Sequence, residues 1–192
     1  MIHHAPIILA SQSPRRKQLL EWAEIPFRVE VSDADEQFPE HLSPEEAAIW
    51  VAAQKAAVIQ QQPGNETAII IAADTMVVVD ELILGKPVNE ADALRMLQLL
   101  SGRRHRVITG VDIRCGDRII AFADTTFVDF HPLEEQELRH YIQQYQPFDK
   151  AGAYAIQEWI GVVGIREVHG DFYNVMGLPV SRVVQALRSL QH

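Results

Sequence analysis

The stretch from Ala68 to Leu84, AIIIAADTMVVVDELIL, constrains the fold more than any other part of the chain. It is the longest apolar run and is rich in β-branched residues, yet Asp74 and Asp80 interrupt it, which rules out a membrane span. Two β-rich runs around Asp74, a turn at Asp80-Glu81 and a short return strand to Gly85 fit the pattern. Runs this apolar are buried in a sheet, and the segments before and after them read as the covering helices.

Those helices announce themselves by their caps. Pro6–Ala10 reads as a short buried strand, followed by Ser13 as N-cap and Pro14 at the first helical position. Ser43, Pro44 and Glu46 form a capping-box signature for a helix that stops at Pro63-Gly64. Asn89 opens a third helix that ends at Gly102, with Ala93, Leu94, Leu97 and Leu100 as its buried stripe. A hairpin turning near Gly116-Asp117, a helix over 132–145, a strand over 160–168 and an amphipathic helix over 179–190 complete the chain. Strands alternating with helices, plus a hairpin, predict an α/β fold around a mixed sheet.

At 192 residues, 47% hydrophobic and 22% charged, with no repeat and no linker, the chain reads as one soluble domain over 1–192. The lone Cys115 permits no internal disulfide and no cysteine-rich metal site, and the eight histidines show no ligand spacing. Residues 1–10 lack a basic start and a small-residue cleavage site, so a cytoplasmic protein without membrane contact is expected, and His3 and His4 look incidental. A net charge of −9 and only 7% aromatics argue against a nucleic-acid surface, while a small anionic ligand on a local basic island stays compatible.

Such an island exists at the first helix. Arg15, Arg16 and Lys17 crowd the positive end of the helix dipole, where each cation is disfavoured by roughly 0.3–1 kcal/mol. A phosphate on the helix N-terminus, next to the hydroxyls of Ser11 and Ser13, would reverse that sign; solvated surface cations are the other reading. Lys55 lies on the apolar stripe of the second helix with Ala48, Val51, Ala52 and Ile59, so it either snorkels at the stripe's edge or has an anionic partner. Lys86 follows a strand without a GxxxxGK pattern, so this is no P-loop.

Asp74 inside a β run either caps a strand end or serves chemistry, holding a metal or taking a proton from water. Asp33, Asp35 and Glu36 are candidate metal ligands in a loop, or simply solvated acids. Tyr154, Trp159 and Phe172 read as core or cleft wall, and His105 and His169 receive no role.

Five segments in series, LASQSPRRKQLL, AADTMVVVDELILGKP, LSGRRHRVITGV, DKAGAYAIQ and GDFYNVMGLPV, resemble the Maf family of nucleoside triphosphate pyrophosphatases across nearly the whole chain. The resemblance implies an elongated mixed sheet with flanking helices, related to that of inosine triphosphatases, with two lobes around a cleft and often a homodimer. It implies cleavage of a nucleoside triphosphate between the α and β phosphates with a divalent cation, Mg²⁺ or Mn²⁺. Ser11, Ser13, Arg15, Arg16, Lys55 and Lys86 match the substrate-binding positions. Glu36 and Asp74 match the acidic, metal-binding ones, with Asp74 as general base. Arg15, Thr75 and Gln157 match the branch that prefers dTTP and UTP, or modified pyrimidine nucleotides, and a Gln amide can pair with the O4 and N3–H edge of thymine or uracil.

A non-catalytic nucleotide-binding regulator of cell division is the alternative from another class. It accounts for the cations and Lys55 but leaves Asp74 without a use, since a carboxylate in an anion site would only repel the ligand. An RNA-binding role is disfavoured by the acidic total.

Overall fold

Capping chemistry sets the helix starts. The computed structural model describes residues 5–190, which leaves His3 and His4 outside. Ser13 stands in extended backbone and its Oγ accepts from the Arg16 amide at 3.4 Å, so α1 (Pro14–Trp22) begins where proline forfeits no hydrogen bond. In α2 (Pro44–Gln60) Ser43 and Glu46 satisfy each other's backbone amides reciprocally. Asn89 caps α3 (Glu90–Leu100) by accepting from the Asp92 amide at 2.9 Å. The later helices are α4 (Glu135–Tyr145), α5 (Trp159–Gly164), α6 (Phe172–Met176) and α7 (Val180–Ser189).

The strands are β1 (Ile7–Leu9), β2 (Arg28–Val29), β3 (Ile69–Val79), β4 (Leu82–Leu84), β5 (Arg104–Cys115), β6 (Arg118–Phe130) and β7 (Ile165–His169). They form one seven-stranded sheet in the order β2-β1-β3-β5-β6-β7, with β4 also paired to β3. The β1–β2 and β1–β3 pairings are parallel, whereas β3–β4 and β6–β7 are antiparallel. This is the mixed α/β sheet with flanking helices that the sequence predicts.

Four local expectations are corrected. The two runs around Asp74 form a single strand, β3, because the acid does not break the ladder but projects from it half-buried. Residues 160–168 do not form one strand: α5 comes first and only 165–169 are extended. The amides of Gly161 and Val162 turn back to the Glu158 carbonyl at 2.9 and 3.3 Å, and Val162 is 80% exposed, so the apolar run is not a buried strand. On α3, Met96 is buried where Leu94 was expected and Leu94 is half-buried. Phe172 is exposed rather than core, while Tyr154 is buried and Trp159 half-buried.

The chain divides into two compact units. Among the described residues, the first comprises 5–74, 109–124 and 177–190; the second comprises 75–108 and 125–176. Strands β3, β5 and β6 each contribute residues to both. In the first unit, Ile8, Ala10, Ala56, Ile59, Ala68, Ile70 and Ala72 pack β1 and β3 against α2. Small residues let α2 approach the sheet closely. A methyl group built on Gly110 of β5 would stand 2.2–2.4 Å from the backbone of Ala48 and Ile49, so the strand there tolerates no side chain.

In the second unit, His105, Phe130 and Tyr154 meet edge to face with ring centroids 5.1–5.4 Å apart. His105 Nε2 is 2.7 Å from the Tyr154 hydroxyl. Burial pushes the imidazole down to about 3, against the opposing pull of Asp129.

Candidate active site

Within the first unit, the helix stripe and the strand acid find each other. Lys55 leaves the buried face of α2, its side chain only 12% exposed, and its Nζ donates to Asp74 Oδ1 at 2.7 Å. The same ammonium lies 2.7 Å from Glu36 Oε1, in the loop after β2. The apolar stripe and the interrupted strand are therefore two sides of one ion-pair cluster. Snorkelling into solvent is not what Lys55 does.

The basic turn of α1 separates into two kinds of cation. Lys17 is exposed and pairs at 3.7 Å with Glu21 one turn on, a surface contact of little energetic worth. Arg15 and Arg16 are half-buried. The Arg16 guanidinium is fixed on two sides: Nε donates to the Gly177 carbonyl at 2.7 Å and Nη1 to Ser11 Oγ at 3.2 Å. Burial pulls its pKa below the ordinary value; the carboxylates of Asp74 and Glu36 oppose that and the neighbouring Arg15 adds to it. Arg15, Arg16, Glu36 and Asp74 thus share one electrostatic neighbourhood, and Lys55 sits inside it.

The two serines play different parts in this arrangement. Ser13 is the helix cap, and Ser11 is buried, accepting from both the Ser13 amide at 3.1 Å and Arg16. A carboxylate paired with Lys55 and within electrostatic reach of Arg16 suits a ligand carrying several negative charges and a reaction that moves a proton. Glu36 Oε1 and Asp74 Oδ1 converge on a single cation position, now filled by the ammonium, and paired carboxylate oxygens are the donors that Mg²⁺ and Mn²⁺ prefer.

Thr75, Lys86 and Gln157 belong to the second unit. Thr75 is half-buried directly after the acid, Lys86 is exposed beyond β4, and Gln157 is exposed in the turn before α5. Asp33 and Asp35 are exposed, and Asp35 accepts from the Gln37 amide. Among the described residues one trio of metal-type ligands, Asp129, Glu167 and His169, lies within 4.8 Å. Arg104 grips the Asp129 carboxylate through Nε and Nη2 at 2.8–3.1 Å, and these bonds hold its pKa below the ordinary carboxylate range. That trio is a salt-bridge network on β6 and β7. The Gly177 carbonyl, which fixes Arg16, is the site element that residue-type reasoning missed, because a backbone oxygen leaves no mark in a side-chain pattern.

With this geometry established, comparison with known proteins is decisive. The profile of the Maf-like protein family matches residues 6–190. The chain belongs to that family. It is 46% identical over 189 residues to the dTTP/UTP pyrophosphatase of Cytophaga hutchinsonii, covering 98% of this chain and 86% of the relative. It is 47% identical over 182 residues to the dTTP/UTP pyrophosphatase of Bacillus velezensis, covering 95% of each. The protein of the same description from Bacteroides fragilis is 44% identical over 185 residues, covering 96% of this chain and 95% of the relative.

Proposed function

We propose that this Maf-like chain, acting as a single domain, hydrolyses dTTP and UTP to the nucleoside monophosphate and pyrophosphate, with Asp74 as general base. The observation that carries the reading is the carboxylate of Asp74 set 2.7 Å from Lys55, in a cluster that also holds Arg16 and Glu36. An acid there would weaken the hold on an anion that was merely to be bound; it earns its place if it takes a proton.

Arg15, Arg16, Lys55 and Lys86 neutralise the phosphate oxygens, and the α1 amides with Ser11 and Ser13 orient them. Asp74 accepts the proton of a water whose oxygen attacks the α phosphorus, and pyrophosphate leaves. A divalent cation held by Glu36 and Asp74, Mg²⁺ or Mn²⁺, would supply further neutralisation of charge on the phosphates. Arg15, Thr75 and Gln157 select the pyrimidine, the Gln157 amide offering a donor and an acceptor to the base edge.

The test is to incubate the purified protein with each canonical and several modified triphosphates plus Mg²⁺ and to measure pyrophosphate and orthophosphate separately. Pyrophosphate from dTTP and UTP is expected. Orthophosphate alone would make the chain a phosphatase, and binding without turnover would return the regulator reading. Asp74→Asn should keep the fold and lower kcat at least about a hundredfold; near wild-type turnover would remove Asp74 from its role.

A further inference from the structure

Residues 155–158 form a tight turn, the Glu158 amide donating to the Ala155 carbonyl at 3.1 Å, so Ile156 and Gln157 are its central residues. This turn is held far more firmly than a surface loop. The Tyr141 hydroxyl, on a fully buried residue of α4, accepts from the Ala155 amide at 3.1 Å and donates to the Glu158 carboxylate. One hydroxyl therefore grips both ends of the turn.

Lys150, buried to 7% exposure, lies 3.5 Å from the same carboxylate and 2.8 Å from Asp149. On the far side, the position of a Cβ on Gly161 would be 1.7 Å from the Ile156 carbonyl oxygen, so α5 closes directly onto the turn. Ala155 and Ile156 are buried and Glu158 is engaged, which leaves Gln157 as the exposed side chain of the segment.

We infer that Tyr141 is a positioning residue for pyrimidine selection: its hydroxyl locks the turn that presents the Gln157 amide to the base. The inference rests on the pyrophosphatase reading and on Gln157 as its selecting residue. A primary amide can offer donor and acceptor in either order, so it reads thymine or uracil against cytosine only when distance and direction are fixed. Fixing them is what a doubly bonded, buried hydroxyl does, and a site built to pair with one polar edge rejects the other through the groups left unpaired.

The experiment measures pyrophosphate release from dTTP, UTP and dCTP by wild type, Tyr141→Phe, Gln157→Ala, Glu158→Ala and Glu158→Gln, each normalised to folded protein. Tyr141→Phe and Gln157→Ala should lower the dTTP-over-dCTP ratio of kcat/KM by similar factors, roughly tenfold, with the loss for dTTP mainly in KM. Glu158→Gln keeps an acceptor for the hydroxyl and should retain selection, whereas Glu158→Ala should relax it. Should Tyr141→Phe fail to fold, the two Glu158 variants decide in its place.

A merely structural Tyr141 would lower turnover of all three nucleotides together and leave the ratio unchanged, which overturns the inference while the pyrophosphatase reading stands. Unchanged selection in Gln157→Ala overturns it too. A wild type that releases no pyrophosphate from any nucleotide removes the reading and the inference together.

Discussion

Replacing Lys55 with methionine separates catalysis from packing. Methionine keeps the apolar stem on the α2 stripe and deletes the charge. Two unit charges 2.7 Å apart attract by roughly 6 kcal/mol at an effective dielectric of about 20. Most of that is offset by the desolvation of an ammonium that is only 12% exposed, and Glu36, at 53% exposure, is screened by water. The net stability loss should be about 1–2 kcal/mol, a fall in Tm of roughly 2–8 °C for a chain of this size. Turnover should suffer more. An ammonium beside the reacting phosphate is worth about 100- to 1,000-fold in kcat, roughly 3–4 kcal/mol. Pyrophosphate release at saturating dTTP and the thermal midpoint, measured on the same preparation, check both figures. A Tm more than about 10 °C lower, with kcat per folded molecule intact, would make Lys55 a fold residue and refute the reasoning.

Other perturbations test the scaffold. The His105 pKa of about 3 lies below its unfolded value of about 6.5, so its contribution is complete above pH 6.5 and is lost as pH falls toward 3, by up to about 1.4 kcal/mol per unit. Urea unfolding at pH 7.5 and 5.5, above the range where carboxylates titrate, should show this loss in wild type and a flatter response in His105→Gln; equal slopes would acquit His105. Gly110→Ala should push α2 off β5 and lower stability together with dTTP turnover, because Lys55 moves with its helix. A crystal structure of Gly110→Ala with α2 unmoved would contradict the close-approach argument.

The parts of the fold that were legible in the sequence are those with local causes. Ser13-Pro14, Ser43-Pro44 with Glu46, and Asn89 each fix a helix start through a bond to the amide three residues on, so their neighbours alone determine them. The candidate site was half legible. A lysine on an apolar stripe and an aspartate in an apolar strand both demand partners, and that each answers the other follows only from the packing of α2 on β3. Residues 160–168 misled because Ile160, Val162 and Val163 have β-forming side chains, while the turn into α5 depends on Gly161 lying against the Ile156 carbonyl, a contact no periodicity encodes. The same holds for the Gly177 carbonyl at Arg16 and for the Tyr141 hydroxyl, which act through backbone groups remote in sequence.

Asp74 lies in the interior of an eleven-residue strand, between the stretch paired with β1 (Ile69–Ile71) and the stretch paired with β4 (Val77–Val79), rather than on a loop. Its main-chain amide should therefore exchange with deuterium only when the sheet itself opens, among the slowest in the molecule. An acid mounted this way cannot be loosened piecemeal: on a denaturant titration, hydrolysis and sheet structure should vanish at the same midpoint, leaving no window in which the sheet is intact but Asp74 has left its place.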